Sequence, residues 1–354
     1  MNAEQIPHNS VFITPEDRRA VDSALASGWI AQGREVDALE TNYTLRYGGH
    51  AVAVSSGTAA LYLALKAVGV TRGVKVAVPT YACSALLNAV YMVEAVPVLA
   101  DVLMDTFCID CENLEYQAGG AECVIAVHTF GAIADVQELA TRSRYRVIED
   151  CCHTPGFVAS TRDSRVVSDA SIFSFYATKM ITGGQGGVVW SSGKSIVESV
   201  RDYRQFDCRD VYAPRFNFQM TDIQAALINS QLMRLDSILD RRNAVAKIYR
   251  KSLPRAFSVQ SGFSSSRTTP YRFVVIAPNR SIRDALKTHL EKRGVGSAEP
   301  IQRYELLHRY LGQRPENFPV AEKLVDVCLS IPIYNGLTDA QIETVSASLS
   351  TFNP

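Results

Sequence analysis

The sequence predicts an α/β fold with a largely parallel sheet, followed by a smaller α+β domain. Short apolar segments alternate with amphipathic helical patterns through the first two thirds of the chain, as in a parallel sheet covered on both faces. The pattern then becomes one long helical stretch, after which a strand pattern and further helical patterns follow. We therefore predict a large domain over residues 1–235 and a smaller one over 236–354.

Six segments of the large domain have the length and apolar composition of buried strands. They are Val74–Pro79, Val96–Asp101, Cys123–His128, Arg146–Asp150, Ser171–Phe175 and Gly187–Trp190. Helical patterns lie between them, and the clearest are Thr58–Val70 and Ser84–Glu94.

The smaller domain is predicted from the pattern after residue 221. The expected elements are a helix from Asp222 to about Leu253, a loop over Gln260–Thr269, a strand over Tyr271–Ala277, a helix over Ser281–Arg293 and a last helix ending near Leu349. Thr338 and Asp339 supply N-cap chemistry for the last helix.

Composition limits the classes of function. Acidic and basic residues balance at 36 each, so no net field attracts nucleic acid or an anionic membrane. Residues 1–10 contain no apolar run typical of a signal peptide, and no apolar run is long enough to span a bilayer. A cytosolic location is expected. Cys108 and Cys111 have CxxC spacing, but a structural zinc site needs a second such pair, so no metal site is predicted.

Lys179 is the only cation in a run of small, apolar and hydroxyl residues between Ser174 and Gly187. Burial disfavours an ammonium group and is expected to lower the pKa of Lys179. A neutral amine can form a Schiff base with a carbonyl substrate or with pyridoxal phosphate. On this segment alone, a lysine that extends along an apolar surface to reach water is an equal alternative.

Two further segments fit a phosphorylated, ring-shaped cofactor. Gly57 and Thr58 begin a helical pattern, and the free N–H groups of a helix N-terminus bind phosphate. Asp150 ends a predicted strand at the carboxyl edge of the sheet, where its carboxylate can pair with a pyridinium nitrogen. Their ordinary alternatives are a capped helix start and a turn aspartate bonded to its own backbone.

Two polar residues are weaker candidates. His153 follows Asp150 by three positions and can reach the same ring, although a lone histidine is more often structural. Asn217 lies between two aromatic residues before the long predicted helix, either as a ligand donor or, more commonly, as part of a turn.

Five segments, in this order, resemble the nucleotide-sugar aminotransferase family (the DegT/StrS group). They are SSGTAAL at 55–61, PTYACSALLNAV at 79–90, VIEDCCHTPG at 147–156, SFYATK at 174–179 with a glycine-rich tail, and FNFQMTDIQAA at 216–226. Similar segments at 27–30 and 329–334 extend the resemblance over nearly the whole chain. It implies a pyridoxal-phosphate enzyme of fold type I, with a mostly parallel seven-stranded sheet flanked by helices.

The resemblance also implies roles for individual residues. Lys179 matches the lysine that forms the internal aldimine and moves the proton, Asp150 the partner of the pyridine nitrogen, and His153 the residue near the ring's phenolic oxygen. The phosphate-binding positions are matched by Gly57, Thr58 and Ser174. Asn217 matches an asparagine that reaches the phosphate of the neighbouring subunit, which implies a homodimer with shared active sites.

Two positions depart from the family pattern. Cys83 stands where the family stacks an aromatic ring on the cofactor, and a thiol offers much less contact with a ring face. Tyr81 is close in sequence and is a weaker candidate for that contact. Gln185 replaces a glutamate of the family's glycine-rich segment, which removes a charge near the lysine loop.

The implied reaction moves an amino group from an amino acid, with glutamate as the expected donor, to a keto sugar, namely a nucleotide-linked 3- or 4-keto deoxysugar. Arg204, Arg209 or Arg215 is a hypothetical partner of the diphosphate, although an ordinary solvated role is commoner for any one arginine. Segments 298–310 and 206–214 are predicted to contact the substrate.

Three other functions stay open. Dehydratase relatives with this fold replace the lysine with histidine, so Lys179 argues against that chemistry. Amination of a cyclitol or another non-nucleotide ketone is not distinguished by the sequence. A non-catalytic regulator that kept the cofactor fold is opposed by the intact pair of Lys179 and Asp150.

Overall fold

The computed structural model describes residues 5–117, 119–142, 145–158, 168–263 and 268–354. Its α-helices are α1 (Pro15–Ala26), α2 (Arg34–Tyr47), α3 (Gly57–Ala67), α4 (Ala85–Met92), α5 (Cys111–Gln117), α6 (Val136–Arg142), α7 (Lys194–Arg204), α8 (Asp222–Leu232), α9 (Leu235–Ser252), α10 (Arg280–Glu291), α11 (Leu307–Tyr310), α12 (Pro319–Val327) and α13 (Asp339–Ser350). Its strands are β1 (His50–Val54), β2 (Lys75–Pro79), β3 (Val96–Ala100), β4 (Cys123–Val127), β5 (Arg146–Asp150), β6 (Ala170–Ser174), β7 (Gly187–Ser191), β8 (Ser258–Val259), β9 (Phe273–Ile276) and β10 (Cys328–Ile331).

The larger sheet has seven strands in the order β1-β7-β6-β5-β4-β2-β3. Strands β6, β5, β4, β2 and β3 are parallel, whereas β7 is antiparallel to both β6 and β1. This confirms the predicted mostly parallel, seven-stranded sheet. Because parallel strands end at the same edge, Asp150 of β5 and Ser174 of β6 are brought to one rim, next to the end of β4.

Helix α3 packs across the larger sheet. It begins shortly after β1 ends, so its N-terminus lies at the same rim. Residues 59–65 are buried without interruption, as expected for a helix covered on all sides. Ser56 is its N-cap, and its hydroxyl accepts a hydrogen bond from the Ala59 N–H at 3.1 Å. The N-terminus of α3 is therefore held beside the strand ends.

The smaller sheet is antiparallel, in the order β10-β9-β8, and packs with α9, α10 and α13. Ile6 belongs to the same hydrophobic cluster, and its N–H donates to the Gly294 carbonyl at 2.8 Å. The beginning of the chain thus joins the C-terminal layer. The domain boundary between residues 235 and 236 stays a prediction.

Several features differ from the sequence-based expectation. Strands β1, β8 and β10 were not predicted. The helix expected over 222–253 is divided, because Arg234 leaves helical geometry at φ −106°, ψ 8°. Arg234 instead pairs with Asp17 of α1 at 2.5 Å, a tertiary contact that no local pattern encodes.

The predicted loop over 260–269 is described except for residues 264–267, which lie outside the described part of the chain. Its first residue, Gln260, is buried, and its side-chain amide donates to the carbonyls of Thr106 and Thr129, both at 2.7 Å. This end of the loop is therefore part of the core. Among the described helices, none has the length and hydropathy needed to cross a membrane.

Candidate active site

A cavity of about 360 Å³ opens at the carboxyl rim of the parallel strands. Seven of the residues predicted to bind the cofactor line it: Gly57, Thr58, Cys83, Asp150, His153, Ser174 and Lys179. They come from the start of α3, the segment after β2, the ends of β5 and β6 and the turns that follow them. The fold therefore brings together residues separated by more than 120 positions.

The start of α3 and the end of β6 form a close-fitting cradle. A Cβ added at Gly57 would lie 2.7 Å from the Ser174 Cβ, and one at Gly187 would lie 2.4 Å from the Ser56 carbonyl oxygen. Glycine at both positions therefore lets the helix start approach the sheet. The N–H groups of Gly57 and Thr58 have no intrahelical acceptor, and together with the Ser174 hydroxyl they suit an anion.

Asp150 is only 7 % exposed. One of its carboxylate oxygens accepts the Cys152 N–H at 2.9 Å. The backbone bond expected of a turn aspartate is thus present, yet the residue also lines the cavity. Among the described residues no second backbone N–H donates to this carboxylate, which therefore keeps acceptor capacity for a ligand.

His153 is held on both of its sides. Its ring stacks on Tyr271, with centroids 4.2 Å apart and planes 8° apart. Its Nδ1 accepts the N–H of Phe130 at 3.2 Å, which leaves the proton on Nε2. Burial, and then the positive charges of Lys179 and Arg272, lower the pKa of His153 well below its ordinary value, so the ring is neutral.

Phe130 stabilises this arrangement through its backbone. It has a φ of 52°, uncommon for a residue with a side chain, and its carbonyl accepts the N–H of Tyr271 at 2.8 Å. The backbone of Phe130 therefore forms hydrogen bonds with both His153 and Tyr271. Such strain is typical of sites where geometry matters more than local stability.

Lys179 lies on the turn after β6, and its Nζ is 5.1 Å from the centre of the Tyr271 ring. Burial by itself works to lower the pKa of Lys179. Surrounding acidic groups outweigh burial and raise the pKa above 10.5; they are Tyr271, Cys152, Cys83 and Asp150. The expected lowered pKa is therefore wrong for this structure, because the sequence showed the apolar neighbours of Lys179 but not the acids that the fold brings to it.

The two candidates for contact with the cofactor ring occupy different environments. Cys83 is exposed to the cavity, and desolvation by the surrounding cavity walls raises the pKa of its thiol. Tyr81 is fully buried and packs edge-on against Phe107 and Phe130, with centroids 5.8 and 6.2 Å apart. Tyr81 is thus fixed in the core at the cavity wall.

Asn217 is not part of the cavity of its own chain. It is exposed, and its side-chain oxygen accepts the Gln219 N–H at 3.2 Å. The next residue, Phe218, accepts the Ser55 N–H at 2.8 Å through its carbonyl. Asn217 therefore lies on the outer side of the phosphate cradle.

The three arginines considered for the diphosphate do not line the cavity either. Arg204 is buried and pairs with Glu40 at 2.6 Å. Arg209 and Arg215 both pair with Asp202. Within this chain their charges are compensated by neighbouring acids.

Several cavity residues were not identified from the sequence. Tyr271 and Arg272 immediately precede β9, and Phe130 follows β4; all three line the cavity. Tyr271 and Arg272 begin the predicted strand 271–277, and an aromatic residue beside a charged one at a strand end could have marked them as candidates. From the predicted contact segments, Pro300 and Ile301 line the cavity but no residue of 206–214 does.

The CxxC pair belongs to the core. Cys108 and Cys111 are buried free thiols, and burial raises the pKa of Cys108 to about 11. In the described chain, one group has the geometry of metal ligands: His128, Glu149 and Cys151. Both ring nitrogens of His128 are already bonded, to Glu149 at 3.1 Å and to the Ala134 N–H at 3.1 Å.

The cavity fits pyridoxal phosphate. The glycine-dependent cradle suits the phosphate, and Asp150 has a carboxylate oxygen available for a pyridinium N–H. The amine of Lys179 lies in the same cavity. His153 presents an Nε2–H as a donor beside them.

Comparison with known proteins agrees with this fit. Residues 12–350 match the model of the DegT/DnrJ/EryC1/StrS aminotransferase family. The GDP-perosamine synthase of Vibrio cholerae is 27 % identical in an alignment 369 positions long, which covers 98 % of this chain and 99 % of that protein.

Solved structures give the same result for the fold. The putative sugar aminotransferase Spr1654 from Streptococcus pneumoniae, in its PMP form, superposes with a TM-score of 0.87 at 24 % identity, covering 98 % of this chain and 97 % of that one. DesV of S. venezuelae superposes with a TM-score of 0.86 at 26 % identity, covering 98 % of both chains. The chain therefore belongs to the DegT/DnrJ/EryC1/StrS aminotransferase family and is a pyridoxal 5′-phosphate-dependent aminotransferase.

Proposed function

We propose that this enzyme transfers an amino group from glutamate to a nucleotide-linked keto-deoxysugar. The observation that carries the proposal is the meeting, in one cavity, of the Lys179 amine, the Asp150 carboxylate and the cradle at Gly57. Transamination needs these three functions together: an amine that moves a proton, a partner for the ring nitrogen and a phosphate anchor. A regulator that no longer reacted would not need the amine.

Each residue has a defined task in this proposal. Lys179 would hold the cofactor, and its freed amine would move a proton from the donor's Cα to the cofactor's C4′ carbon. Asp150 keeps the pyridine nitrogen protonated. When bound, pyridoxal phosphate supplies an electron sink for the charge that this proton removal creates. His153 donates its Nε2–H to the ring oxygen, and Cys83 covers part of the ring face.

The acceptor class is proposed from the relatives. One of them is named as a GDP-perosamine synthase, which supports a sugar carried by a nucleoside diphosphate. A keto sugar has no amine or carboxylate of its own, so it depends on shape and hydroxyl contacts within the cavity. Pro300 and Ile301 line the side of the cavity formed by the segment 298–310.

We also propose that the enzyme is a cytosolic homodimer whose two sites are shared. The loop 205–219 exposes large apolar side chains, including Tyr212 at 91 % and Phe216 at 56 % exposure. Asn217 lies among them, outside its own cavity. In a two-fold dimer the same surface meets itself, so this loop of one subunit can supply Asn217 to the phosphate cradle of the other.

The two half-reactions test the proposal separately. Glutamate added to the purified holoenzyme should convert its visible absorption band to that of the pyridoxamine form, and a nucleotide keto sugar should restore it. A panel of nucleotide keto sugars and cyclitols, with product masses recorded, identifies the acceptor. Loss of water from the sugar without amine transfer would indicate a dehydratase, and amination of cyclitols alone would overturn the proposed acceptor.

A further inference from the structure

Arg272 lies where the main cavity meets a second one. The second cavity has a volume of about 210 Å³ and is lined by residues 8–12 of the N-terminal segment together with residues from β10 and α9. Four residues line both cavities: Thr178, Lys179, Tyr271 and Arg272. A molecule that reaches Lys179 can therefore extend past Arg272 into the second cavity.

The guanidinium of Arg272 has no anionic partner among the described residues. Its Cζ lies over the rings of Phe130 and Tyr271, at 5.5 and 5.8 Å from their centres. Its Nε is buried and makes no hydrogen bond. A buried donor without an acceptor is costly, particularly on a charged group. Such a cost is retained where a ligand supplies the acceptor.

Other buried arginines among the described residues pair with an acid or donate to carbonyls, although the Nε of Arg204, like that of Arg272, has no acceptor. Arg204 pairs with Glu40 at 2.6 Å, and Arg283 pairs with Asp284 at 2.6 Å. Arg242 donates to the carbonyls of Pro270 and Tyr271, at 2.9 and 2.7 Å. Arg272 differs from these three because no described residue supplies its guanidinium with a carboxylate or a carbonyl acceptor.

Arg242 also explains why Arg272 is well positioned. By holding the carbonyls of Pro270 and Tyr271, it fixes the backbone that leads into Arg272. The stacking of Tyr271 on His153 fixes the other side of the same segment. A guanidinium on such a support loses little freedom when it binds an anion.

The second cavity is free of negative charge. None of the described residues that line it carries a carboxylate, whereas Lys179, Arg242 and Arg272 are basic. Burial, and then the charge of Arg272, lower the pKa of His8 to about 4 in this cavity. A basic pocket without acids suits an anionic group.

We propose that Arg272 binds a carboxylate of the amino-acid donor through two parallel hydrogen bonds. The planar guanidinium matches the two oxygens of a carboxylate. Lys179 and Arg272 lie near the same Tyr271 ring, at 5.1 and 5.8 Å from its centre, so the amino group and a carboxylate of one small molecule can engage both. The proposal rests on the proposed function and makes Arg272 specific for the donor half-reaction.

Rapid-mixing measurements of each half-reaction test this role in Arg272→Gln, Arg272→Lys and a control, Arg250→Gln, whose arginine contacts Phe263 away from both cavities. Arg272→Gln should weaken apparent glutamate binding about 100-fold, as expected for a buried charge pair that loses one partner. The apparent glutamate affinity of Arg272→Lys should lie between that of Arg272→Gln and that of the wild type. The acceptor half-reaction, started from the pyridoxamine form, should change less than about twofold in every variant.

Calorimetric titration of the holoenzyme with glutarate adds a readout independent of turnover. Glutarate has the carboxylates of glutamate without its amine, and its binding should be lost in Arg272→Gln but kept in Arg250→Gln. Unchanged glutamate and glutarate binding in Arg272→Gln would overturn the proposal. An equal or larger loss in the acceptor half-reaction would also overturn it, because Arg272 would then hold the acceptor's phosphates or shape the whole site. If the wild type does not react with glutamate, the proposed donor fails, and the titration still decides whether Arg272 binds carboxylates.

Discussion

The strand rim and the loop 205–219 both contribute predicted cofactor residues, but they present them in opposite ways. At the rim, Asp150 is 7 % exposed and Tyr81 is fully buried. On the loop, Val211 is 73 % and Tyr212 is 91 % exposed. Side chains at the rim are held by strand register within one chain. Those on the loop have the exposure expected of a surface that another subunit covers.

Among the substitutions at the rim, removal of the Lys179 amine should reduce the rate of amino transfer most. Lys179→Ala should lower the rate of amino transfer by about 10⁴-fold, because proton movement loses its acid and base. The variant should also lack the visible band of lysine-bound cofactor while keeping its thermal stability. Lys194→Ala, at an exposed residue paired with Glu198, is the control. A persistent lysine-bound band in Lys179→Ala would show that another residue attaches the cofactor.

Filling the cradle should have a smaller effect, confined to cofactor affinity. Gly57→Ala places a Cβ 2.7 Å from the Ser174 Cβ. Relief of that overlap should cost about 2 kcal/mol of cofactor binding energy. Equilibrium titration should then show a roughly 30-fold weaker affinity for pyridoxal phosphate. Gly119→Ala, where an added Cβ meets no atom within 4 Å, should bind the cofactor normally. Equal affinities in the two variants would place the phosphate elsewhere.

The raised pKa of Lys179 predicts how the cofactor-free enzyme captures pyridoxal phosphate. The neutral amine reacts, and below the pKa its fraction grows with pH, so capture should accelerate about tenfold per pH unit between pH 7 and 9. No plateau is expected in this range, because the pKa is raised above 10.5. Stopped-flow absorbance measures the rate, and Lys179→Ala corrects for other lysines. A plateau near pH 8 would mean that burial dominates after all.

Mixing of variant subunits tests whether the loop 205–219 supplies Asn217 to the partner's site. The expected change in activity is the smallest of those predicted. If Asn217 acts in the partner's site, Asn217→Ala and Lys179→Ala should each be impaired, yet an equal mixture should recover about a quarter of wild-type activity. Half of the dimers are then mixed, and each mixed dimer has one intact site. Sedimentation checks that subunits exchange. Exchange without recovery would assign Asn217 to the site of its own chain, or to no site.

The secondary structure of the rim was predictable because its elements are short and strongly patterned. Strand β5 was predicted with its observed bounds, Arg146–Asp150, and α13 begins at the predicted Thr338–Asp339 cap. Strand β1 was missed, although four of its five residues are buried. A run of four apolar residues after His50 also fits a buried helix segment, and the partner strand β7 lies more than 130 positions away in the chain.

The sequence by itself determined the α/β class, the family resemblance and the choice of Lys179 and Asp150 as candidate cofactor residues, since local patterns and ordered motifs carry that information. Only the tertiary structure decided which charges meet. It placed acids around Lys179 and reversed the expected direction of its pKa. It left Arg272 at the junction of two cavities, without an anionic partner among the described residues. Charge interactions depend on distance and burial, and neither can be obtained from neighbours in the sequence.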